Sequence, residues 1–175
     1  MEDAYVLTME DNEKQFHELR LCFCGHSICH PDHSFGPSVC PVYILHYILD
    51  GKGQYHLDGR TYTLGPEQGF LIEPNVMTSY KADHAQPWTY LWVAFEGSYV
   101  PKLLGQIGLS HRTPTFSANC GAQLMTVIKN MLECEAKGLE RELYIQAQLY
   151  QFFACLSHDL TNRASTFQLE RQNYY

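Results

Sequence analysis

The sequence predicts a mainly β fold with a helical C-terminal part: an antiparallel β-barrel followed by an antiparallel helical hairpin. Two observations carry this. Six short β-branched and aromatic runs, separated by tight turns, fall between Val42 and Glu96. Beyond Glu96 the apolar spacing changes from two residues to three and four, the period of a helix.

The strands follow in order. "VYILHYIL" is a run of strand length, turned by "DGKG" into "QYHL". Asp58-Gly59 is a strong two-residue hairpin signal leading to "RTYTL". "GPEQG" turns into "FLIE", "PNV" into "MTSYK", and the loop "ADHAQP" feeds "WTYLWVAF". Residues 1 to 20 give little pattern beyond a short apolar patch, and "LCFCGHSICHPDHSFGPSVCP" reads as one short strand and a loop. After the barrel, "SYVPKLLGQIGLS" suggests a short helix with Ser98 as N-cap and Gly108 after it. "NCGAQLMTVIKNMLECEAKG" has helical spacing, with Gly138 placed to stop it. A longer helix over 139–160 completes a hairpin with it. The expected division is therefore barrel with N-terminal arm over 1–97, helical subdomain over 98–161, and a polar linker over 162–175.

Composition excludes several functions. The 175 residues are 45% hydrophobic and 18% charged, as in a well-cored globular chain, and the net charge of −7 comes without a basic stripe to track phosphates. No apolar run approaches membrane-spanning length, and the acidic start lacks a secretion signal. Seven cysteines without such a signal favour reduced thiols in the cytoplasm.

Catalytic and cofactor motifs are weak. Cys22, Cys24, Cys29, His30 and His33 crowd into twelve residues, but the segment has one C-x-C and no second knuckle, so buried free thiols are preferred to a metal. No two histidines stand two apart, and Thr78 follows the turn where a metal-binding barrel would place a ligand. No nucleophile elbow, phosphate loop or dinucleotide fingerprint occurs, so neither an enzyme nor a cofactor is expected.

What remains is the aromatic run over 88–95. Its alternate positions separate Trp88, Tyr90, Trp92 and Ala94 from Thr89, Leu91, Val93 and Phe95. Thr78 shares a face with Tyr80, and His46 lies between Ile44 and Ile48. These polar-tipped groups are either core residues with backbone partners or the walls of a pocket. A flat indole bordered by hydroxyl and imidazole groups suits a sugar, whose C–H faces stack on rings.

The string "YILHYILDGKGQYHLDGRTYTLGPEQGFLIEPNVMTSYKADHAQPWTYLWVAFEG", with "CGHSICHPDHSFGP" before it, resembles the N-terminal regulatory domain of AraC-type transcriptional activators, especially the branch that senses sugars in Gram-positive bacteria. The resemblance runs from about Leu21 to Leu109. It implies a cupin-like barrel that binds an effector, a helical hairpin that forms a homodimer, and a helix-turn-helix DNA-binding domain beyond the end of this chain. By motif, Trp92 is similar to the family's sugar-stacking tryptophan and Tyr80 to the aromatic after the proline turn, with Thr78 and Tyr90 lining the same cavity. His33 and His46 sit in matching motifs. One departure is Cys40, which stands where this branch often has arginine.

The expectation is thus a cytoplasmic ligand-sensing and dimerisation domain without catalysis, its effector a sugar held against Trp92 and Tyr80. Self-association is expected through Leu143, Gln146, Leu149 and Phe153, with packing of that stripe on the barrel as the alternative. A sugar isomerase or epimerase of the cupin class and a sensor of a non-sugar molecule are the rival functions.

Overall fold

Two antiparallel sheets and a helical layer build the molecule. The computed structural model describes residues 2–10 and 15–172, with side chains of the last helix described to residue 161. Ten strands and three helices follow in chain order. They are β1 (Glu2–Thr8), β2 (Arg20–Cys29), β3 (Ser34–Val39), β4 (Tyr43–Asp50), β5 (Gly53–Leu57), β6 (Arg60–Leu64), β7 (Gln68–Ile72), β8 (Met77–Ala82), β9 (Thr89–Glu96), α1 (Val100–Gln106), β10 (Thr115–Ser117), α2 (Gly121–Leu132) and α3 (Gly138–Gln172). One sheet has six strands in the order β1-β2-β9-β4-β7-β10, and the other has four in the order β3-β8-β5-β6.

The six expected strands are β4 to β9. Asp58 and Gly59 both take positive φ, the type I′ geometry whose twist matches the flanking strands. The central strands of the larger sheet are buried on both faces, which explains why β4 and β9 are apolar almost throughout. One face, with Ile44, Ile48, Tyr90, Trp92 and Ala94, packs against the smaller sheet to form the barrel interior. The opposite face, with Leu45, Tyr47, Leu91, Val93 and Phe95, forms a second core with the helices. The alternation read along 88–95 therefore sorts residues between two cores, not between core and solvent.

Several elements depart from expectation. β1, β3 and β10 form strands where the sequence showed little pattern or a loop, and each lies at or next to an edge. Tyr99, not Ser98, occupies the α1 N-cap position. α2 ends at Leu132, and Gly138, at φ 59°, opens α3 instead of closing α2. α3 continues through Gln172, over most of the span expected to be a linker; no Gly or Pro interrupts residues 139–172. Residues 173–175 of that expected linker lie outside the described residues.

The stripe expected to self-associate needs the main correction. Leu149 is fully buried, Phe153 packs edge-to-face on Phe95 at 4.9 Å, and Gln146 donates a 2.6 Å hydrogen bond to the Leu19 carbonyl. These three side chains are covered by their own barrel, since the outer face of the larger sheet needs an apolar lid. Leu143 alone of the four is exposed, at 52%.

Candidate functional site

The barrel holds a cavity of about 260 Å³ lined by residues of both sheets. Pairing of β4 with β9 sets His46 opposite Trp92 and Ile48 opposite Tyr90. The smaller sheet brings Thr78 and Tyr80 from β8, with Phe35 stacked on Tyr80 at 5.3 Å from β3. Five of the six sequence-derived ligand residues, Trp92, Tyr80, Tyr90, Thr78 and His46, thus line one cavity. His33 does not line it; its Nε2 lies 3.4 Å from Glu2 Oε2, a carboxylate that does. Of the three aromatics at alternate positions 88, 90 and 92, Trp88, just before β9, is wholly buried core, while Tyr90 and Trp92 form wall.

The walls are mostly apolar, with Phe23, Ile44 and Ile72 behind the rings and a few polar groups between them. Small ligand pockets share this make-up. Tyr90 sits edge-on to Trp92 at 5.7 Å, and His46 stacks on Phe70 at 4.5 Å and 9°. Burial pushes the Tyr80 and Tyr90 phenols far above their usual value, so both are neutral hydroxyls available for hydrogen bonding.

His46 is the unusual member. Its Nδ1 is buried without a hydrogen-bond partner, and desolvation pushes the imidazole pKa down to about 3. The neutral ring therefore leaves one buried polar atom unsatisfied, a cost of roughly 1–3 kcal/mol. The depressed pKa also has a pH consequence. The unfolded chain binds a proton on this histidine below about pH 6.5 and the folded chain does not until about pH 3. Stability should accordingly fall as pH drops from about 6.5 toward 3, by up to roughly 1.4 kcal/mol per pH unit. Urea titrations between pH 7 and 4.5 check this: His46→Phe should flatten the slope, and an equal slope in both proteins would contradict it.

The sequence reading missed the contribution of the arm. Glu2, from β1, accepts hydrogen bonds from Ser27 Oγ at 2.6 Å and Tyr90 OH at 3.3 Å, so its carboxylate reaches the cavity from the N-terminal strand. No signal in residues 1 to 20 marked it. Phe35 and Ser38 were missed with β3, Phe23 was missed although a short strand is expected there, and Cys40, the noted departure, also lines the cavity.

A barrel with a sheltered aromatic cavity and a helical lid defines a small-molecule-binding domain. Comparison with known proteins makes this specific. The sequence profile of the AraC-like ligand binding domain matches residues 21–172, and the chain belongs to that family. It is 32% identical over 142 residues to the Msm operon regulatory protein of Streptococcus mutans, covering 79% of this chain and 50% of that protein. It is 29% identical over 97 residues to the lactose operon transcription activator of Staphylococcus xylosus, covering 55% and 35%. The chain thus spans half or less of the length of these relatives. Among solved structures it is similar to a cupin 2 conserved barrel domain protein from Leptotrichia buccalis, with a TM-score of 0.45, 17% identity, and 55% and 41% of the two chains covered. No helix among the described residues is long and apolar enough to cross a membrane.

Proposed function

We propose that this chain is the effector-sensing part of a transcription regulator and that its effector is a sugar bound in the barrel cavity. The observation that carries this is the cavity wall itself: Trp92, Tyr80, Tyr90, Thr78 and His46 line one space of about 260 Å³. A sugar ring stacks its C–H face on the indole while its hydroxyls pair with the polar groups. Three matched relatives are named as regulators of msm, lactose and raffinose operons, which supports the sugar class.

In this reading the Glu2 carboxylate senses occupancy, because it lines the cavity from a strand held chiefly by pairing with β2. A ligand that binds one arrangement of the arm better than another shifts the population between them. DNA binding belongs to a part of the full protein outside this chain, and the protein works in the cytoplasm, in keeping with the reduced thiols of Cys24, Cys29, Cys40, Cys134 and Cys155.

The partner surface is also proposed. Leu139, Leu143 and Tyr150 are exposed and step by four and seven residues along α3, so one face of this helix remains apolar after the barrel is covered. We assign homodimerisation to that face, which borders the residues that pack on the barrel.

A thermal-shift panel of mono-, di- and trisaccharides tests the effector class. A true effector at one hundred times its Kd stabilises by about 2.7 kcal/mol, or roughly 5–10 °C for a chain of this size. Trp92→Ala should abolish the shift. No shift with any sugar, or an equal shift in the variant, would remove the carbohydrate assignment.

A further inference from the structure

Beside the cavity, Glu2, Cys29 and His33 bring a carboxylate oxygen, a thiol sulfur and an imidazole nitrogen within 4.8 Å of one another. Three separate elements supply them. Glu2 is on the arm strand β1, Cys29 ends β2, and His33 precedes β3, with the turn at Pro31–Asp32 folding the last two together. Cys29 Sγ lies 3.8 Å from Glu2 Oε2, and His33 Nε2 lies 3.4 Å from the same oxygen. Bonds of about 2.3 Å to sulfur and about 2.0–2.1 Å to nitrogen and oxygen, at tetrahedral angles, separate S from O by about 3.5 Å and N from O by about 3.3 Å. These two separations already lie close to those of a zinc site.

A hydrogen-bonded latch accounts for part of the arrangement, since Ser27 and Tyr90 both donate to Glu2. The buried thiol joins this latch through a 3.8 Å sulfur hydrogen bond to the same Glu2 oxygen, so sulfur, nitrogen and carboxylate converge on one point. The donor set decides the ion. One sulfur and one imidazole beside a single carboxylate favour zinc over magnesium or calcium, which take oxygen donors.

We propose that Glu2, Cys29 and His33 form a zinc site that ties the N-terminal arm to the barrel at the rim of the cavity. Without metal the Cys29 thiol is neutral, because burial pushes its pKa up to about 11. Zinc binding breaks the S–H bond, forms a Zn–S bond and releases the proton to water, with no change of oxidation state. The site differs from the sequence expectation in its members. Cys22 and Cys24 take no part, and the carboxylate comes from an arm twenty-seven residues before the thiol.

The test uses the purified chain with its own N-terminus, loaded with zinc sulfate under reducing conditions and dialysed against metal-free buffer. Metal analysis should find about one zinc per chain in the wild type and in Cys134→Ser, a control thiol beyond α2. Cys29→Ser and His33→Ala should each bind zinc at least tenfold more weakly. Because a variant can misfold, cobalt is added to the wild type as a second readout, and a sulfur-to-cobalt charge-transfer band is expected. Zinc absent from the wild type, undiminished zinc in Cys29→Ser, or bound cobalt without that band would each overturn the site. None of these results depends on a sugar, so the effector reading stands or falls separately.

Discussion

Leu149→Glu is expected to unfold the chain rather than merely dissociate a dimer. Leu149 is fully buried between α3 and the outer face of the larger sheet, in the cluster that holds Leu45, Val93, Phe95 and Phe152. The substitution removes a core leucine and places a carboxylate in an apolar cluster. Removing the leucine alone costs about 2–5 kcal/mol, and burying the carboxylate adds to that. The sum is comparable with the whole stability of an ordinary domain, roughly 5–15 kcal/mol. Leu143→Glu, one helical face away and half exposed, should leave the melting temperature within the range of a surface change, about 0.5 kcal/mol. In sedimentation it should nevertheless yield monomer. Circular dichroism and sedimentation on the two variants separate the faces; a folded, monomeric Leu149→Glu would restore the stripe first read from the sequence.

Gly25→Val is the second large effect. Gly25 pairs with Val6 of the arm on one side and Trp92 of β9 on the other. A Cβ there would collide with the Tyr5 carbonyl oxygen and stand 2.8 Å from Cζ2 of Trp92. The first obstacle is backbone and cannot turn aside, so either the arm leaves β2 or the strand shifts. Valine adds two methyl groups to the conflict. Overpacking of this kind costs roughly 1–3 kcal/mol, and displacement of the arm adds the loss of its pairing. Differential scanning calorimetry should show a fall of several degrees, and hydrogen exchange should show residues 2–8 unprotected. An unchanged melting temperature with a protected arm would contradict the close approach.

These two positions also mark how far the sequence could be read. β4 to β9 were legible because each is a short run with β-branched or aromatic residues, bounded by turn residues such as Gly, Pro and Asp. The period of two in β9 further placed Tyr90 and Trp92 on one face and Leu91 and Val93 on the other. β1 was not legible, since "EDAYVLT" lies mostly exposed at a sheet edge and carries no alternation to reveal it. With β1 went Glu2, and with it the polar rim of the cavity. β3 was hidden by Gly36-Pro37, which reads as loop, and its pairing with β8 shifts register at that pair. On α3 the helical period was clear, but two apolar arcs share the helix, and spacing alone does not say which arc meets the barrel. The spacing places Gln146 in the self-associating stripe, whereas it donates to the carbonyl of Leu19.

The central claim is that a ligand sits against Trp92, and fluorescence tests it most directly. The chain has two tryptophans, and Trp88 is wholly buried away from the cavity wall. Trp88→Phe keeps a ring in the core and leaves Trp92 as the single reporter. Titration of this variant with the stabilising sugar should change the emission of Trp92 saturably, at a Kd matching the thermal shift. A sugar that stabilises the protein while leaving that emission unchanged would place the ligand elsewhere and contradict the account.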